Sequence, residues 1–172
     1  MKRPERKVLP HEIPWWVSQG ARHFITINAA ERGGRPFLAM ATLDTARSET
    51  AALPVAQLLL ESLIYYETIG KWYLWLAVVM PDHLHFIATF NMEKGIKSVL
   101  IDWKRYQVKT LGLELQRDYF EHRIRDQDAF VEKSAYIRNN PVRQGLVDIP
   151  EAWPYIWHRS RLAEVLAARS LL

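Results

Sequence analysis

The feature that most constrains the fold is a pair of apolar runs, Trp72 to Val79 and His83 to Phe90, separated only by Met80-Pro81-Asp82. A parallel crossover needs a dozen or more residues, so so short a link dictates an antiparallel hairpin. The first run is apolar at successive positions, as a strand buried on both faces must be. Other elements fall around this hairpin. His23 to Ala29 (HFITINA) reads as a strand, and Pro54 to Ile69 as a helix with proline at its start and Gly70 beyond its end. Gly95 to Leu111 is a second helix, with Ile96, Val99, Leu100 and Trp103 as its buried stripe. Asp118 to Arg125 reads as a short strand or edge segment. A third helix runs from an N-cap at Asp126 to Asn140, where Pro141 stops it. Strand, helix, hairpin, helix, strand, helix is the order of an α+β ferredoxin-like sandwich, an antiparallel sheet with helices on one face and the other face open to a ligand.

The chain of 172 residues suits a single domain, with an N-terminal arm over residues 1–21 and a C-terminal helix over 158–172, amphipathic from Arg161 onward. With no cysteine, disulfides, thiolate zinc sites and cysteine nucleophiles are excluded, which agrees with a cytoplasmic location. The basic start is followed by no signal-peptide apolar region, and no apolar run is long enough for a membrane span. Net charge is +4, and between Lys94 and Arg143 there are 11 Lys and Arg against 7 Asp and Glu, so the whole excess sits in that segment. A local basic surplus suits a polyanion, although a solvated face explains so small an excess equally well.

Two features carry chemistry. In His83-Leu84-His85 the imidazoles point to one face of a strand and Leu84 to the other, along with Phe86 and Ala88. Two neutral ring nitrogens so placed can chelate one metal ion; two half-buried histidines bonded to neighbours are the plainer reading of the same spacing. On the third helix Tyr136 and Asn140 are four residues apart and share a face with Ala129 and Lys133, while Phe130, Ser134 and Ile137 form the neighbouring core arc. A phenol is a workable nucleophile toward a phosphodiester when a metal polarises the phosphate, and no Gly-rich nucleotide loop is present. An interface aromatic and a helix-terminal amide remain the alternative for this pair. Tyr106, placed toward the apolar side of its helix, and Tyr119, without a helical polar partner, are weaker candidates than Tyr136.

Taken in order, these motifs resemble those of the REP-associated tyrosine transposases. Val79-Met80-Pro81-Asp82-His83-Leu84-His85 is similar to the family's HUH signature, and Gln116 to Arg125 (QRDYFEHRIR) to the stretch after its second helix. Tyr136-Ile137-Arg138-Asn139-Asn140-Pro141-Val142-Arg143-Gln144-Gly145-Leu146 looks like its tyrosine-helix motif, and Pro150 to Pro154 fits its tail. Gly20 to Thr26 is a weaker match at the first strand. The resemblance spans about Gly20 to Trp157; Leu115 stands where relatives usually carry tryptophan, and Arg32 to Leu53 has no counterpart. It implies the HUH nuclease fold, His83 and His85 as ligands of magnesium or manganese, Asn140 as the third ligand and Tyr136 as the nucleophile. The implied substrate is single-stranded DNA near short palindromic hairpins, cut to a 5′-phosphotyrosine and a free 3′-OH and then transferred. Relatives include apparent monomers and homodimers that exchange the tyrosine helix.

Lys97, Lys104, Arg105 and Lys109 fall on the arc of the second helix opposite its apolar stripe, and with Arg123, Arg125, Arg138 and Arg143 they are the candidate phosphate contacts. A non-catalytic single-stranded DNA or RNA-binding module of the same shape is the competing expectation; such modules carry stacking aromatics where this chain carries histidines.

Overall fold

The computed structural model describes residues 16–17, 20–30 and 55–159. Five strands form one antiparallel sheet: β1 (Arg22–Asn28), β2 (Trp72–Val79), β3 (His83–Phe90), β4 (Phe120–Ile124) and β5 (Ile156–His158), in the order β4-β1-β3-β2-β5. The helices are α1 (Val55–Thr68), α2 (Ile96–Leu111), α3 (Gln127–Arg138) and the single turn α4 (Asn140–Arg143). The first four strands have the ferredoxin-like order, and β5 extends it beside β2. The hairpin holds Val79 opposite Leu84, with the Met80 N–H donating to the His83 carbonyl at 2.8 Å. No helix among the described residues is long and apolar enough to cross a membrane.

Alternation along the strands divides the side chains into two cores. On one face Ile25, Ile27, Leu84, Phe86, Ala88 and Phe90 pack under α1 and α2, which contribute Leu59, Leu63, Val99, Leu100 and Trp103. A bulge between Leu74 and Leu76 flips the parity of β2, so Trp72 and Leu74 but then Ala77 and Val79 face this core. On the other face Phe24, Leu76, Val78, Met80 and Ile87 pack against Phe130 and Ile137 of α3 and against Trp153. The helices therefore do not all lie on one face. The second sheet face is partly roofed by α3, because Phe130, Ser134 and Ile137 form a stripe that must be buried.

Three further expectations change. Helix α3 starts at its Asp126 cap, whose carboxylate accepts from the Ala129 N–H at 2.8 Å, but it ends at Arg138. Asn140 instead opens α4 with Pro141 in its first turn, the place where a missing N–H costs nothing. On α2, Lys104 and Gln107 are buried beside Val99, Leu100 and Trp103, so the buried stripe is wider than the apolar residues suggest. Finally, His158 belongs to β5 and not to a helix, while 160–172 and nearly all of the arm over 1–21 lie outside the described residues.

Candidate active site

The sheet register builds the site from both sides of β3. His83 stands opposite Asn28, and His85 is opposite Thr26 on β1 and Val78 on β2. The two imidazoles lie on the α3 side of the sheet, with ring centroids 4.5 Å apart. Helix α3 crosses this face and carries Tyr136 to within 6.3 Å of the His85 ring, centroid to centroid. One turn further, buried Asn140 brings its amide nitrogen to 3.1 Å from His83 Nε2. All four residues thus meet within a single chain.

Each imidazole has its other nitrogen engaged. His83 Nδ1 lies 2.7 Å from Asp82 Oδ1, and His85 Nδ1 lies 2.9 Å from Thr26 Oγ1. An Nδ1–H donated to an oxygen leaves the Nε2 lone pair free, which is how an outer partner prepares a histidine for a metal. Burial, reinforced by the nearby His83 and by the Lys133 charge, pushes His85 down to about 3, so that it stays neutral and able to ligate near neutral pH. Beside it Phe24 packs at 5.3 Å between ring centroids, drying the inner side of the pair.

Tyr136 is the opposite case, 39% exposed, so its hydroxyl edge can be reached by a large substrate. Two cations bracket its ring: Lys133 Nζ at 5.2 Å from the ring centre and the Arg143 guanidinium at 4.7 Å. Lys133 also sits 5.0 Å from the Phe24 ring. The rival tyrosines are elsewhere. Tyr106 is exposed rather than turned to the apolar side, and stacks on Tyr65 of α1, across the sheet from the histidines. Tyr119 packs against the core under α1 and α2.

The basic residues separate into several groups. Lys97, Arg105 and Lys109 are exposed and line a cavity of about 740 Å³ between α2 and residues 115–119. Lys104 lines it too, but its side chain is buried and its Nζ donates to the carbonyls of Gln116, Arg117 (2.8 Å) and Asp118 (3.3 Å). The expectation that Lys104 lies on the solvated arc is thereby corrected: it ties the 116–118 backbone to α2. Arg138 is ion-paired to Glu151 at 2.8 Å, and Arg143 covers Tyr136. Arg123 and Arg125 are exposed at the β4 edge.

Residue types alone did not reveal Thr26, which becomes a partner of His85 only through strand register. Asp82 could have been suspected from its place beside His83. The shared face of Lys133 and Tyr136 was visible from helical spacing, but its contact with Phe24 was not.

No protein-family model matches the chain. A curated Haemophilus influenzae protein named "Putative REP-associated tyrosine transposase" is 41% identical over 105 residues, covering 51% of this chain and 60% of that protein. The chain thus spans well under two thirds of the length of the curated relative it matches. Among solved structures, one described as a REP-associated tyrosine transposase bound to a REP hairpin aligns with a TM-score of 0.61 and 23% identity, covering 91% of this chain and 82% of that one. At that identity the likeness is one of fold: the chain shares the α+β antiparallel architecture of that solved transposase.

Proposed function

We propose that this chain is a metal-dependent endonuclease and strand transferase acting on single-stranded DNA beside hairpins, through a 5′-phosphotyrosine at Tyr136. The observation that carries the reading is the meeting of Tyr136 with His83, His85 and Asn140 on one sheet face. The relative and the solved structure that the chain resembles are both named REP-associated tyrosine transposases, and the solved one is bound to a REP hairpin, which supports a transposase acting at hairpin DNA.

The donor set fits magnesium or manganese. His83 and His85 offer imidazole nitrogens, each braced from behind, and Asn140 offers an amide oxygen on rotating its side chain about the same position. When bound, the ion would supply Lewis-acid polarisation of the scissile phosphate. Everything else falls to the chain. Tyr136 Oη attacks phosphorus, the bond from phosphorus to the 3′ oxygen breaks, and that oxygen leaves as a 3′-OH. The phenolic proton departs on the exposed side of Tyr136. Lys133 and Arg143, held against the ring, offer positive charge where the anionic phosphate must come to rest. The phosphotyrosine retains one phosphoester linkage for the one broken, so a 3′-OH can attack it in turn and rejoin a strand without any nucleotide cofactor.

The test is a covalent adduct. Incubated with manganese and hairpin-bearing single strands, the protein should form a DNA conjugate that survives denaturing electrophoresis, and Tyr136→Phe should form none. Adduct formation by Tyr136→Phe would sink the assignment, and metal-independent binding without cleavage across many hairpins would turn it into the binding-module reading.

A further inference from the structure

The β2 bulge has an effect at the far end of the sheet face that holds the histidines. It places Trp75 on that face as well as Leu76, and the Trp75 ring lies 4.8 Å from the guanidinium of Arg22. Phe130 of α3 covers the guanidinium at 4.2 Å, and its Nη1 donates to Gln127 Oε1 at 2.9 Å. Arg22 is therefore held in a corner formed by the two rings, whose centroids are 5.7 Å apart, and by the Gln127 side chain. Around it opens a cavity of about 400 Å³ lined also by Gly20, Arg123 and Arg125. Gly20 is required there, since a Cβ would stand 2.5 Å from Thr89 Cγ2 and 2.6 Å from the Trp16 carbonyl oxygen.

Among the described residues the charges in this cavity are unbalanced. None of Arg22, Arg123 and Arg125 forms an ion pair among the described residues. Among the described residues the one carboxylate in the lining, Asp126, is already committed to capping α3. Burial lowers the pKa of Arg22, yet a guanidinium stays protonated in a protein, so a half-buried cation stands without a counter-charge among the described residues. A guanidinium fork held against two rings suits bidentate contact with two oxygens of a phosphate.

We propose that this cavity binds a backbone phosphate of the same single strand whose scissile bond lies at Tyr136, an inference that rests on the nuclease reading for the identity of the polyanion. Two distances support one continuous strand. Arg22 and Thr26 are four residues apart on β1, which is about 13–14 Å. Gln127 and Tyr136 are nine apart along α3, again about 13–14 Å. That gap accommodates about four stacked nucleotides at roughly 3.4 Å each. A polynucleotide fits better than a free anion because the cavity is open along the β4 edge and its floor includes the partly exposed indole of Trp75, a surface on which a base can stack.

The experiment measures binding apart from cleavage. Affinity of the full chain for a labelled single strand of about 20 nucleotides is followed against salt, for wild type, Arg22→Lys and the exposed double variant Arg123→Ala/Arg125→Ala, with thermal unfolding as the folding control. The double variant should bind at least about tenfold more weakly, with a salt slope lower by about 1.4, the loss expected for two phosphate contacts. Arg22→Lys keeps the charge but loses the stacked fork, and should bind several-fold more weakly. If it unfolds, the exposed pair still decides. Unchanged affinity and slope in the folded double variant would overturn the proposal. So would stabilisation of wild type alone by inorganic phosphate with strand affinity unaltered, which would assign a free anion. Because binding needs no adduct, arginine variants that lose affinity in a wild-type background that never cleaves would uphold the cavity and defeat only the nuclease reading.

Discussion

Thr26 shows how much of the proposed chemistry would depend on groups that never touch substrate. Its hydroxyl lies 2.9 Å from His85 Nδ1 and fixes which ring nitrogen faces the site. Asp82 does the same for His83 at 2.7 Å, though from an exposed position. Partners of this kind typically tune metal affinity by about 10- to 100-fold. Thr26→Val, which keeps the shape and removes the acceptor, is expected to raise the manganese concentration needed for half-maximal adduct formation by about that factor. A titration of adduct yield against manganese checks this, and an unchanged midpoint would show that His85 is oriented by packing against Phe24 alone. The same residue was invisible in the sequence: threonine on a strand is ordinary, and only the pairing of Thr26 with His85 gives it a role.

At the scale of elements, α2 is the instructive case. Its amphipathic pattern marks Lys104 as solvent-facing, yet the ammonium is buried and donates to three successive backbone carbonyls at 116–118. Those carbonyls belong to a segment without regular hydrogen bonding of its own, and buried backbone acceptors must find donors somewhere. Lys104→Met should leave them unsatisfied and destabilise the fold by about 1–3 kcal/mol in denaturant titration. The same variant should leave the salt dependence of DNA binding unmoved, whereas neutralising exposed Lys97 or Lys109 should lower it. A Lys104→Met protein that keeps full stability but loses salt dependence would restore the phosphate-contact role. The segment matters to the site too, because Gln116 accepts from Asn28 at 3.2 Å, and Asn28 is the strand partner of His83.

The whole molecule places the proposed site on the sheet face roofed by α3, with a core on either side of the sheet. One core, under α1 and α2, fixes the hairpin; the other, under α3, sets the height of Tyr136 and Asn140 above it. Manganese that binds the folded site and not the unfolded chain must raise stability by mass action, about 2.7 kcal/mol at a hundred times its dissociation constant. Wild type should therefore unfold several degrees higher with manganese than with chelator, and His83→Ala/His85→Ala should show no such difference. A shift that persists in the double variant would place the ion elsewhere. The antiparallel hairpin, the element order through α3 and the shared strand face of the two histidines were all legible in the sequence, because link length, alternation and helical period are local rules. So was the nearness of Tyr136 and Asn140, although Asn140 opens α4 and does not end α3. What tertiary structure alone decided was that α3 crosses the sheet face opposite α1 and α2, that Lys104 turns inward, and that Thr26, His83, His85, Tyr136 and Asn140 converge. Those outcomes depend on which apolar stripe covers which face, and that is settled only when every buried surface and every buried polar group is satisfied together.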